Sequence, residues 1–129
     1  MPESLYETVG GEPAVKALVE RFYAVMDELP EAAAVRAMHP PDLSTSRKHL
    51  EWFLTGWLGG PQVYIENRGH PRLRARHLPF AIDKAAAEAW MVCMRRALAE
   101  TLTPEVVVVV EPALARLAGH MINQGEGQP

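Results

Sequence analysis

RGHPRLRARHLPF, residues 68–80, decides how this chain is read. Arg68, Arg72, Arg74 and Arg76 crowd together there with His70 and His77, in a chain whose net charge is −3. Pro71 can open a helix and Pro79 forces an exit, so a helix of about two turns is predicted over 71–78. On it Leu73 and His77 lie one turn apart on one face, Arg72, Arg74 and Arg76 lie on others, and Phe80 follows in the exit turn. A helix this short is marginal alone and must be held by tertiary contacts. Two readings stay open on these residues. His77 is an ordinary half-buried histidine beside solvated arginines, or it points inward as a ligand while the arginines hold that ligand's anionic edge.

The rest of the chain reads as helices. Pro13 can start one, and Val15, Leu18, Val19, Phe22, Met26 and Leu29 recur at helical spacing up to Pro30. A short turn is expected around Glu31–Met38, broken by His39-Pro40-Pro41. Leu43, Leu50, Phe53, Leu54 and Trp57 mark a second long face, stopped by Gly59-Gly60-Pro61. Residues 59–70 read as a loop. Asp83 suits the N-cap of a third long helix with Ala86, Ala89, Trp90, Cys93, Met94 and Ala97 inward. Val106–Val110 has strand propensity, but Val107, Val110, Leu114, Leu117 and Met121 keep a helical rhythm across Pro112, and a lone strand has no partner. A fourth long helix, kinked at Pro112, is therefore expected. The class is all-α, in one domain over 1–129 with a frayed tail at 123–129.

Composition narrows the function. Hydrophobic residues make up 48% and charged residues 22%, as in globular domains. A net charge of −3 argues against nucleic acid as the main partner. The basic charge is local, which points to a small partner. One cysteine, Cys93, permits no internal disulfide and no Cys-based zinc cluster, and suits a reducing cytoplasm, the expected location. No signal peptide and no membrane span are visible. His39, His49, His70, His77 and His120 show no zinc-type spacing. His70 is expected to cap the helix opening at Pro71, and His120 to lie at a helix C-terminus. Cys93, mid-helix on an apolar face, reads as a packing thiol. Ser46 sits on the stripe of Leu50, Phe53 and Trp57, Tyr23 at the edge of the first helical face, and Trp90 in the middle of the third. Each alone is more often a core residue, and together they bring several donors toward one pocket. A haem combines an iron that accepts imidazole nitrogen with two carboxylates that accept Arg bonds.

Several stretches together resemble a known family. LYETVGGEPAV (5–15), RFYAVM (21–26), WLGGPQVY (57–64), RGHPRLRARHLPF (68–80) and AWMVCM (89–94) resemble the truncated haemoglobins of group II, in order and spacing, from about Leu5 to Asn123. The resemblance implies a truncated globin-like two-over-two helical sandwich enclosing haem b, iron protoporphyrin IX. Position by position, His77 matches the proximal iron ligand. Arg76 and Tyr64 match groups that bond the propionates, with His49 where a basic residue often assists. Leu50, Phe53 and Trp57 match haem-packing positions, and Leu73 and Phe80 join them. Tyr23, His39, Ser46 and Trp90 match the distal side. His39 departs from members with tyrosine or phenylalanine there.

The same resemblance implies a haem protein that binds dioxygen, nitric oxide or carbon monoxide at a His-ligated iron, for oxygen, nitric oxide or peroxide redox chemistry or protection. Nitric oxide dioxygenase or peroxidase-like turnover needs an external reductase, since no flavin or nicotinamide motif is visible. A gas-binding or sensing module without turnover and a cofactor-free helical interaction protein are the alternatives, and a homodimer is left open.

Overall fold

The computed structural model describes residues 4–124. Its helices are α1 (Leu5–Val9), α2 (Gly11–Glu28), a 3-10 turn (Pro30–Ala32), α3 (Ala33–Ala37), α4 (Ser44–Trp57), α5 (Val63–Arg68), α6 (Leu73–His77), α7 (Lys84–Thr101) and α8 (Pro104–His120). The described residues form no strand. The long helices pair as α2 with α4 and α7 with α8, and the two pairs stack through α2 on α7. Phe22, Met26, Leu54, Met94, Leu98 and Leu114 are fully buried between them. Each such side chain contributes about 1.5–3 kcal/mol relative to leaving it exposed. No helix among the described residues is long and apolar enough to cross a membrane.

The four long helices stand where periodicity places them, with corrections at their edges. Residues 5–9, where periodicity predicts no helix, form α1, opened by a capping box between Ser4 and Glu7. Gly10, at φ 118°, ends α1 and turns the chain straight into α2. Pro13 therefore falls in the first turn rather than at its start, still where no N–H is needed. Val106–Val110 is helical, and α8 runs unbroken across Pro112. The carbonyl that Pro112 leaves without a donor belongs to Val108, which is 73% exposed and so lies on the solvent side.

Three other expectations fail. Residues 59–70 are not all loop: α5 lies within them, six residues too short for a periodic signal, with Tyr64 buried beneath it. Gly60 precedes it because a Cβ there would meet the Tyr6 ring at 2.6 Å. The helix at Pro71 starts instead at Leu73, since Arg72 takes a left-handed φ of 45° and its N–H donates to Nδ1 of His70 at 3.1 Å. Asn123 and Gln124, expected to fray, donate their backbone N–H groups to the Ile82 carbonyl at 2.8 and 3.0 Å. The rest of that tail, 125–129, lies outside the described residues.

Candidate functional site

Short helix α6 supplies one wall. His77 ends it, half-buried, with Nδ1 2.6 Å from the carbonyl oxygen of Leu73. A carbonyl only accepts, so Nδ1 carries the proton and the Nε2 lone pair is free. Leu73 is half-buried and Phe80 41% exposed. The sequence reading missed what holds this helix. Asn123 Nδ2 donates to the carbonyls of His77 at 3.2 Å and Phe80 at 2.8 Å, while its Oδ1 accepts from the Ile82 N–H at 2.9 Å.

A basic cluster forms the edge. Arg68 Nη1 donates to the Tyr64 hydroxyl at 3.2 Å and to Nδ1 of His49 at 2.9 Å. That leaves His49 neutral, in keeping with a pKa held below the ordinary value by burial and by Arg68, Lys48 and Arg76. The Arg76 guanidinium stands 5.8 Å from the Tyr64 ring centroid and donates to the carbonyls of Pro71 at 2.7 Å and Arg68 at 3.3 Å. Tyr64, Arg76 and His49, widely separated in sequence, thus meet. Arg68 joins them unforeseen, although its place one turn after Tyr64 was the available signal.

The stripe of α4 closes the back. Leu50, Phe53 and Trp57 are half-buried on one face, and the Phe53 and Tyr64 rings lie 6.3 Å apart, edge to face. Trp57, at the far end, shares a small cleft with Val9, Leu102 and Leu114.

Across from α6, Phe22 links two candidate donors, its ring 4.9 Å from that of Tyr23 and 5.0 Å from that of Trp90. Burial pushes the Tyr23 hydroxyl far above its ordinary pKa, so it keeps its proton. Its Oη lies 3.5 Å from the Ser46 carbonyl, a long contact that leaves the hydroxyl free to turn elsewhere. The half-buried Trp90 donates its indole N–H to no atom of the described residues, yet that nitrogen is not sealed from solvent. His39 sets its ring 5.7 Å from that of Tyr23, and its Nδ1 lies 3.0 Å from the Val35 carbonyl. Burial lowers its pKa, with smaller contributions from Arg36 and from His77. His120 closes α8 and is exposed, and Cys93 is fully buried in the core. An imidazole with a free lone pair, a basic edge, half-exposed apolar walls and two free donors thus come from α2, α4–α7 and the turn after α3.

The model of the bacterial-like globins matches residues 4–123. The chain is 39% identical to the group 2 truncated hemoglobin YjbI of Bacillus subtilis (strain 168) over 124 residues, covering 95% of this chain and 91% of that one. Its structure superimposes on the group II 2-on-2 hemoglobin of Agrobacterium tumefaciens with a TM-score of 0.93 at 47% identity, over 96% of this chain and 97% of the other. The truncated oxygen-avid haemoglobin of Bacillus subtilis matches with a TM-score of 0.86 at 38% identity, over 94% and 100%. The chain belongs to the bacterial-like globins and, within them, to the group II truncated haemoglobins. That is a family of haem-based gas binders with the two-over-two fold, and the pairing of α2 and α4 with α7 and α8 is that sandwich.

Proposed function

We propose that the chain holds haem b through Nε2 of His77 and retains a diatomic gas beneath Trp90 and Tyr23 for redox chemistry or protection. The carrying observation is the 2.6 Å bond from Nδ1 of His77 to the Leu73 carbonyl, which orients the ring and leaves Nε2 as a nitrogen donor. The other groups suit the same cofactor. Arg76, Arg68, Tyr64 and His49 provide donors for two carboxylates, and Leu50, Phe53, Trp57, Leu73 and Phe80 offer half-exposed apolar surface for a flat ring. When bound, haem supplies an iron centre that takes up diatomic gas and exchanges single electrons.

The chain's own residues set the rest. His77 holds its position because both its ring and its carbonyl are bonded. Trp90 can only donate, and Tyr23 keeps a proton to donate, so both favour a gas that carries partial negative charge, as dioxygen does when held. The His39 ring and the Ser46 backbone carbonyl both lie beside Tyr23. Strong retention favours reaction over delivery, and a relative bears the description oxygen-avid. Turnover would need an electron donor, since this sequence shows no flavin or nicotinamide motif.

Titrating the haem-free chain with hemin tests this. A sharp one-to-one endpoint and a histidine-type carbonyl spectrum after reduction support the reading, and no binding overturns it. Mixing the dioxygen-loaded protein with nitric oxide and measuring nitrate, with and without a reductase, separates turnover from a gas-binding module.

A further inference from the structure

The basic charge on one face exceeds what two carboxylates need. Residues 47–76 hold six of the 13 Lys and Arg side chains and two of the 16 acidic ones, a local charge of +4 against −7 for the rest of the chain. The ion pairs among the described residues all lie elsewhere, on Arg21, Arg36 and Arg95. The six cations therefore have no described carboxylate within 4.0 Å. Four of them, Lys48, Arg68, Arg76 and Arg72, follow one another in a run of contacts. Lys48 Nζ stands 5.7 Å from the Trp52 ring, which lies 5.8 Å from that of His49. His49 leads to Arg68, Arg68 to Arg76, and Arg76 to the Pro71 carbonyl beside Arg72.

Arg68 and Arg76 are engaged around Tyr64, whereas Lys48 and Arg72 are not. Both are exposed, and the Arg72 guanidinium donates to no described atom. Arg72 is also the one described non-glycine residue with positive φ. Glycine would sit there without strain, so the guanidinium is presented at a conformational cost. Arg74 is exposed and tied to the Ile122 carbonyl at 3.2 Å. Two apolar side chains stand out among these cations. Ile65, 45% exposed, is three residues from Arg68 on α5, and Leu78, 54% exposed, is four from Arg74. Exposed apolar side chains near cations without carboxylate partners suit a transient protein interface.

We propose that Lys48, Ile65, Arg72, Arg74 and Leu78 form the docking face for a small acidic protein that carries a one-electron redox group. The proposal rests on the haem reading above, since the face adjoins the edge where Arg76 and Tyr64 would hold the propionates. One electron leaves the partner's reduced group, which is oxidised by one unit. With haem bound, its iron would accept that electron, passing from ferric to ferrous, and no bond or proton would change place. A second copy of this chain would bring an equally positive face and be repelled. Opposite charge speeds such encounters, and salt weakens them.

The probe is a plant-type [2Fe–2S] ferredoxin, with the haem-loaded protein and its Lys48→Glu/Arg72→Asp variant. Amide shifts on adding oxidised ferredoxin should gather at residues 47–52 and 65–78. Reduction by photoreduced ferredoxin should slow more than tenfold as the Debye length falls from about 30 Å to about 3 Å. The variant should be at least tenfold slower at low salt, with an unchanged carbonyl spectrum and unchanged reduction by the neutral deazariboflavin semiquinone. Shifts elsewhere, a salt-independent rate or a variant as fast as the parent overturns the proposal. So does binding of phosphatidylglycerol vesicles or duplex DNA through Lys48 and Arg72 without binding of ferredoxin. A chain that takes up no hemin overturns the haem reading instead, and the shift map still decides the docking face.

Discussion

Nδ1 of His77 lies 2.6 Å from the carbonyl oxygen of Leu73, one turn earlier on a helix of five residues. So short a helix cannot orient a ring by itself. Asn123, 46 residues further on, completes the support by bonding the carbonyls of His77 and Phe80 and the N–H of Ile82. The position of the candidate ligand thus depends on the residues that follow α8.

Asn123→Ala removes all three bonds and leaves the Ile82 N–H and the Phe80 carbonyl without those partners, while the His77 carbonyl keeps the Phe80 N–H at 3.0 Å. Leaving a buried group unpaired costs about 1–3 kcal/mol. Amide exchange at residues 76–82 should accelerate, and haem should pass faster to an apo-acceptor. Parental rates for both would show that Asn123 does not position His77.

Much of the fold and site was legible in the sequence, and what was not has a common cause. The faces of α2, α4, α7 and α8 recur over many turns, so periodicity reveals them. His77 was marked by its place between Pro71 and Pro79, and Asp83 by its cap, whose side chain accepts from the Ala86 N–H at 2.8 Å. Helices α1 and α5 are one or two turns long, below what a period can register. The left-handed turn at Arg72 and the bonds of Asn123 are tertiary facts, set by a segment distant in sequence. Arg68 looked like one more surface cation because only the fold brings His49 beside it.

Trp90→Phe keeps a ring in place and removes the N–H. A bond to a partly charged acceptor in a dry pocket is worth about 1.5–3 kcal/mol. Dioxygen release should therefore quicken by roughly one to two powers of ten. Carbon monoxide is less polar when held, so its release should change less. Stopped-flow measurement of both gases checks this, and equal effects would mean altered packing or access.

His39 gives a pH signature. Burial holds its folded-state pKa below the ordinary 6.5. As pH falls through about 6.5 toward that lower value, the unfolded chain takes up a proton that the folded chain refuses, so stability is lost; above 6.5 the contribution is fully present. His49 shifts in the same direction and remains in the variant. Urea midpoints of the parent and His39→Phe between pH 7.5 and 5.5 should show a shallower loss in the variant. Parallel curves would count against a buried neutral His39.

Arg76→Ala should loosen haem and leave the carbonyl spectrum alone. The side chain is exposed, and exposed ion pairs are worth roughly 0–1 kcal/mol, so transfer to an apo-acceptor should rise by at most about fivefold. An unchanged transfer rate would place Arg76 outside the cofactor's reach.

The most direct test of His77 as the iron's ligand is the ferrous carbonyl spectrum of His77→Gly reconstituted with haem, with and without free imidazole. The parent's spectrum should be lost in the variant and restored by imidazole, because Nε2 of His77 supplies the iron's protein bond. A variant that keeps the parent's spectrum without imidazole would contradict that role.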